Sequence, residues 1–343
     1  MKVSNSIKKH FAKYTNLGEH KQSSSIILDV MPEIRRNGVL IYFKQIYIIE
    51  GLLHVNSSKK IIKFEVPLNG EIFNIKLDCN REARVLYKVN CSSKLFNLLK
   101  ANVHRKDFEP LVEQEISEYN SIMTRAFKKL LYLIKYSLNE IDLDDKTLNL
   151  KEFYWSLNGE TWKQIARRMC IKEGLSYSPL VLESSRAKII QGYLNDGFDP
   201  FIALRHLHRA KKEDEPRFRW IEATIAAELA IKEFLVRKIP NVEPLVYELP
   251  SPPLTKLYGS VLESYTGIRS PMLKQLQKGI EIRNKLVHRP EEIKIDDKEA
   301  IEYVNDIERA IYHLLKILYP DDPIIGDIVN PQYKIETSIK QLD

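Results

Sequence analysis

The stretch PMLKQLQKGIEIRNKLVHRP, residues 271–290, reads as one helix from Pro271 to Arg289, which Pro290 stops because proline cannot continue the backbone hydrogen-bond ladder. At about 100° per residue, Met272, Leu276, Ile280 and Val287 project within roughly 60° of Arg283. A permanent guanidinium charge therefore falls within the apolar face expected to be buried. Asn284 and His288, four apart, lie together at the edge of that face. Buried charge is costly unless it is paired and hydrogen-bonded. Arg283 thus has two accounts: a structural bridge to a carboxylate with a histidine at the helix end, or a working site.

At 343 residues the chain is long enough for two domains with separate cores. Its net charge of +7 and pI near 9.0 suit a polyanionic partner without demanding one. No apolar run is long enough to span a bilayer, and the basic start Met1–Phe11 lacks the apolar core of a secretion signal. No membrane partner is expected. Cys79, Cys91 and Cys170 are odd in number and widely spaced, with no zinc-like clustering; they read as free thiols of a reducing cytoplasm.

Residues 24–90 carry strand signals in short β-branched or aromatic runs: Ser25–Val30, Val39–Phe43, Ile46–Ile49, Ile61–Val66, Ile72–Leu77 and Arg84–Val89. Asn37-Gly38 and Asn69-Gly70 are turn dipeptides, the second fitting a tight hairpin. Such spacing predicts a β-sandwich or small barrel. His54 and His104 are isolated and belong to the surface.

From Ser92 onward the period becomes helical. One or two helices are expected over Glu109–Glu140, broken by Asp142–Lys146, and another over Gly159–Cys170 with Arg167-Arg168 on a solvated face. Phe201–Lys212 carries Arg205, His206, His208, Arg209, Lys211 and Lys212, either a basic patch for RNA or a charged surface helix that the following Glu213-Asp-Glu215 neutralises. Pro216 opens a long helix, Arg217–Leu235, in which Ile221, Ile225, Leu229 and Val236 form an apolar arc. Glu228 and Lys232 project into this arc in the favourable Glu-to-Lys order. They make either a semi-buried pair, or Glu228 reaches across to orient Arg283. The last helix, Asp296–Leu318, presents Val304, Ile307, Ile311, Leu314, Leu315 and Leu318 to a core, with His313 on its polar side. The expected organisation is α+β: a β-rich N-terminal domain (1–108), a helical connector (109–200), a helical bundle (201–325) and a tail (326–343).

The RNKLVH motif at 283–288, together with the long helix before it, resembles the signature of the HEPN superfamily. The resemblance is closest to its Apea-like group, in which a β-rich region precedes the helical domain, and over the first 200 residues it extends only to that general organisation. The likeness covers roughly residues 201–320. It implies a metal-independent endoribonuclease without cofactor, acting on RNA as a toxin or antiphage, abortive-infection effector. It also implies a homodimer through the helical domain, and leaves room for an antitoxin or phage-derived trigger. Arg283, Asn284 and His288 would be catalytic, with Glu228 and Lys285 supporting.

That chemistry suits the residues. Cleavage by the 2′-hydroxyl needs a base, an acid and positive charge for the phosphorane. An imidazole, with an ordinary pKa of about 6.5, can transfer protons at neutral pH. A guanidinium can pair two phosphate oxygens and keeps its proton. An amide can orient an oxygen or the imidazole. One chain offers a single histidine here, while in-line displacement has two proton-transfer positions; two copies across a two-fold axis would supply both. The alternative is a non-catalytic HEPN module that binds RNA, nucleotide or a protein partner.

Overall fold

A computed structural model of the chain describes residues 38–49, 53–56, 61–78, 82–140, 143, 148–167, 180–239, 241–248, 252–288 and 294–329. The protein is α+β, and its chain divides into two compact units, residues 1–199 and 200–343.

Period-2 alternation builds the first unit around an antiparallel sheet. Its strands are β1 (Val39–Ile48), β3 (Ile61–Leu68), β4 (Glu71–Asp78), β5 (Glu82–Cys91), β6 (Asn149–Ser156) and β7 (Lys163–Arg167), in the order β3-β4-β5-β1-β6-β7. A separate parallel pair joins β2 (Leu53–Asn56) to β8 (Leu180–Glu183). Asn69 and Gly70 have φ of 53° and 79°, the left-handed pair that a tight primed hairpin requires between β3 and β4. Val39–Phe43 and Ile46–Ile49 are not two strands. Lys44 and Gln45 carry the alternation through, and Gln45, fully buried, donates to Asn120 Oδ1 (2.7 Å) while accepting from the Tyr47 hydroxyl (2.6 Å).

Among the described residues the strands do not form the sandwich or barrel expected from their spacing. Among the described residues a single six-stranded sheet takes its second layer from a helix. After α1 (Ser93–Lys100), helix α2 (Pro110–Leu138) runs 29 residues, opened by Pro110 and closed by left-handed Asn139. Its Ile116, Met123, Phe127, Leu130 and Ile134 meet Phe43, Tyr47, Phe64, Phe73 and Val85 in one core. Half-apolar strands fit a sheet or a helix as partner equally well, so alternation could not choose between them. Residues expected to be a helical connector contribute β6 and β7 to the same sheet. The helix expected over Gly159–Cys170 is in part strand β7: Gly159, at φ 75°, turns the chain back, and pairing with β6 overrides a locally helical pattern. Gln191 of α3 (Ser184–Asp196) blocks the β3 edge, accepting from the backbone N–H of Glu65 and donating to its carbonyl. The expected strand Ser25–Val30 and both Cys79 and Cys170 lie outside the described residues. Cys91 is buried, and burial, then the Glu115 charge, push its thiol up to about 12.

The second unit is helical: α4 (Ile202–Lys212), α5 (Pro216–Lys238), α6 (Glu243–Tyr247), α7 (Leu254–Lys256), a π turn (Leu257–Val261), α8 (Leu262–Thr266), α9 (Leu273–His288), α10 (Asp297–Leu318) and α11 (Pro323–Val329). α5 is the centre, packed by α4, α9 and α10. Its deepest face is not the expected arc of Ile221, Ile225, Leu229 and Val236, all only half-buried. It is Ala223, Ala226, Ala227, Ala230, Ile231 and Phe234, fully buried. Small side chains let neighbouring backbones approach, so a stripe of modest hydrophobicity takes the core. Tyr258, fully buried, donates its hydroxyl to the Ala227 carbonyl (2.8 Å). Glu233 on α5 caps α4 by accepting from the N–H groups of Ile202 and Ala203. Two of the basic residues of α4 meet acids on other helices, His206 meeting Glu222 and Lys211 meeting Glu308. His313 is half-buried on the side of α10 that carries Asp306, Arg309 and Lys316; its Nε2 has no partner among the described residues, and burial lowers its pKa. Among the described residues no helix is long and apolar enough to cross a membrane.

Glu115 on α2 ties the start of α1 to α2: its carboxylate accepts from the Ser92 N–H (2.8 Å), the Ser92 hydroxyl (2.6 Å) and the Tyr119 hydroxyl (3.0 Å). Glu115→Ala should lower stability by about 2–3 kcal/mol in urea unfolding, with Glu115→Gln losing less. An unchanged midpoint in both variants would show that these bonds add nothing net.

Candidate active site at the end of helix α9

Helix α9 is held by a flat stack. Trp220 of α5 and Tyr303 of α10 lie ring on ring, centroids 4.0 Å apart and 15° from parallel. The indole Nε1 donates to the Gly279 carbonyl (3.0 Å), and the Tyr303 ring presses on the glycine itself: a Cβ there would fall 2.1 Å from Cε2. The Tyr303 hydroxyl, buried, is hydrogen-bonded to Thr224 Oγ1 (3.0 Å), and burial is the main cause that pushes its pKa up to about 12. It stays neutral at physiological pH and serves as a fixed hydrogen-bonding group. Three helices meet at one residue with no side chain.

Burial on α9 therefore centres on Leu276, Gly279 and Leu286. On a helical wheel of about 100° per residue, that centre is turned by roughly 50° from the arc of the larger apolar residues. Ile280 and Arg283 are half-buried and Val287 is 43% exposed. This corrects the expectation that Arg283 sits in the middle of a buried face: it stands on the shoulder between core and solvent. Its Nη1 donates to Asn284 Oδ1 (3.3 Å), and among the described residues no carboxylate lies within ion-pair distance of it. The structural account of a bridged arginine thus has no partner in the described part of the molecule. Asn284, Lys285 and His288 are exposed. The last two turns of α9 carry all three of the expected catalytic side chains, with Asn284 and His288 one turn apart on one side.

Glu228 does not orient Arg283. Its carboxylate accepts from Lys232 Nζ (2.7 Å) on the same helix, the semi-buried pair that their spacing allows. The group that does reach the motif is Arg217, at the start of α5. Its Nη2 donates to the backbone carbonyl of Leu286 (2.9 Å), satisfying one of the acceptors that a helix end leaves open and placing positive charge at the negative end of the α9 dipole. Sequence alone did not single out Arg217, Trp220, Gly279 or Tyr303. Pro216-Arg217 marked only a helix start, and glycine scores as a weak helix former rather than as a contact.

Among the described residues no group of three or more His, Cys, Asp or Glu side chains converges to hold a metal ion. Set against family models, curated proteins and solved structures, the chain matches none. What defines the site is its own geometry: an all-helical unit that exposes an arginine, an asparagine and a histidine on the final turns of a clamped helix.

Gly279→Ala should separate α9 from Tyr303 and cost about 1–3 kcal/mol or more. Arg217→Ala should leave the fold intact but loosen the last turn, read as faster amide hydrogen exchange at the C-terminal end of α9. Equal exchange in Arg217→Ala and wild type would mean that the Leu286 bond holds nothing in place.

Proposed function

We propose that the protein is a metal-independent endoribonuclease of the HEPN type, acting as a homodimer, with Arg283, Asn284 and His288 as its catalytic residues. The observation that carries this reading is Arg283: half-buried, bonded to Asn284, and without a carboxylate among the described residues. A guanidinium left available in this way can receive two phosphate oxygens of an RNA backbone. It stabilises the charge that gathers on phosphorus as the 2′-hydroxyl attacks. His288, exposed one turn beyond Asn284, transfers the proton, and Asn284 holds Arg283 through its Oδ1. Lys285, exposed on the same turns, adds positive charge toward the strand.

One imidazole serves one side of the phosphorus. The second proton-transfer group comes from the same residue of a second copy. The apolar surface left open on these helices supports pairing: Phe218 is 49% exposed, Val287 is 43% exposed, and Ile221, Ile225 and Leu229 remain half-buried. Phe218, Ile221, Ile225 and Leu229 follow helical spacing on α5, a stripe that a partner helix can cover. A role as a toxin or antiphage effector in the cytoplasm, under an antitoxin or phage-derived trigger, goes with this chemistry.

Purified protein should cut single-stranded RNA in EDTA, spare DNA and leave 2′,3′-cyclic phosphate ends. Arg283→Ala and His288→Ala should each reduce the cleavage rate by at least about 100-fold while the sedimentation coefficient stays that of a dimer. Cutting that survives both substitutions, or a monomer at micromolar concentration, counts against the proposal. RNA binding without cleavage by the wild type would favour a non-catalytic module.

A further inference from the structure

The face of the N-terminal sheet turned away from α2 is open among the described residues: Leu40 is 45% and Ile72 is 51% exposed, and Lys63, Asn74 and Lys88 are exposed as well. Cross-strand register fixes which side chains share it. Lys63 of β3 stands opposite Lys76 of β4, and Lys76 opposite Arg84 of β5. Three cations directly abreast repel one another, an arrangement that costs a sheet stability. Arg84 is relieved by Asp78 and Glu82. Lys63 and Lys76 have no ion pair or hydrogen bond among the described residues.

Toward β6 the same face becomes aromatic. Tyr42 of β1 stands opposite Lys88 of β5, whose Nζ lies 5.6 Å from the Tyr42 ring centre. Lys44 stands opposite Tyr154 of β6, and its Nζ is 4.5 Å from that ring and 4.1 Å from the ring of Trp162. All three rings are half-exposed. Burial, and next the charge of Arg84, hold the Lys44 ammonium below the usual lysine range, with Glu152 pulling the other way. Glu65 and Glu152 are the acids on this face beyond those engaged by Arg84, so lysines outnumber the acids left to them.

We infer that this face is a docking surface for single-stranded RNA, with the Lys63–Lys76 rows along the phosphates and Tyr42, Tyr154 and Trp162 under the bases. Unpaired bases present π-faces to aromatic side chains, whereas a duplex keeps its bases stacked on one another. Lysines beside rings then pair with the phosphate that accompanies each stacked base. An acidic protein would use the cations but not the half-open rings. The choice of RNA over DNA rests on the ribonuclease proposed above; the binding face itself does not.

The test uses the full chain carrying Arg283→Ala, with fluorescence anisotropy of an oligouridine about 12 nucleotides long. Tyr154→Ala or Trp162→Ala should weaken binding by about tenfold. Lys63→Gln combined with Lys76→Gln should flatten the slope of log K against log salt by about 1.4, near 0.7 for each lost phosphate contact. Circular dichroism checks that each variant is folded. Unchanged affinity and slope in folded variants overturn the assignment, as does tighter binding of duplex RNA, of DNA of the same sequence, or of phosphatidylserine vesicles. Should the Arg283 and His288 variants keep cutting while the sheet variants lose binding, the cleavage site is wrong and the docking face stands. Should the motif variants lose cutting while the sheet variants bind normally, the docking face alone fails.

Discussion

Tyr303 can bring the edge of its ring against helix α9 only because residue 279 has no side chain, and the packing of α9 turns on that contact. The ring edge fills the space where a Cβ would stand, Trp220 stacks on the ring, and the indole N–H donates to the Gly279 carbonyl. Aromatic stacking and a satisfied buried hydrogen bond reinforce one another, since neither ring can shift without breaking the other's contact. The rotation of α9 about its own axis is thereby set. With it is set which side chains of the last turns meet solvent. Arg283 reaches the boundary, Asn284 and His288 lie outside it, and Leu286 anchors the inner side with its carbonyl held by Arg217.

The first unit solves a different problem with different means. A six-stranded sheet is covered on one face by a 29-residue helix, and its polar interior is satisfied locally, Gln45 and Tyr47 with Asn120 and Thr124. Buried polar groups that find partners direct the helix to one position on the sheet. Among the described residues its other face carries side chains that a hydrophobic core would not tolerate, with lysines abreast on β3 and β4 and half-exposed rings toward β6. Among the described residues each unit thus has a closed, packed side and a side left to solvent.

Much of this was legible from residue order. Asn69-Gly70 demanded a primed turn and forms one, because two adjacent left-handed residues are affordable there and almost nowhere else. Ser92, Pro110, Pro216 and Asp296 each stand at a helix start, where side-chain acceptors or a missing N–H fit the open end. The motif helix and the last helix fall nearly where their periodicity placed them. What failed were inferences about partners. The strands of β1 to β5 alternate correctly for a sandwich and for a sheet under a helix alike. On α5 the large aliphatic residues outscore alanine in any pattern, yet alanine occupies the core because its neighbours come closest there.

Local chemistry, then, was settled by the chain's own order of residues: α+β class, turn and cap positions, and a helix ending in arginine, asparagine and histidine. Those features depend on backbone preferences and hydrophobic period within about twenty residues. Only the folded structure decided that Glu228 belongs to Lys232 and not to Arg283, that Arg217 secures the motif, and that Gly279 governs the rotation of its helix. Each of these joins residues on different turns or different helices, and burial depends on what packs opposite, a quantity that no single stretch of sequence contains.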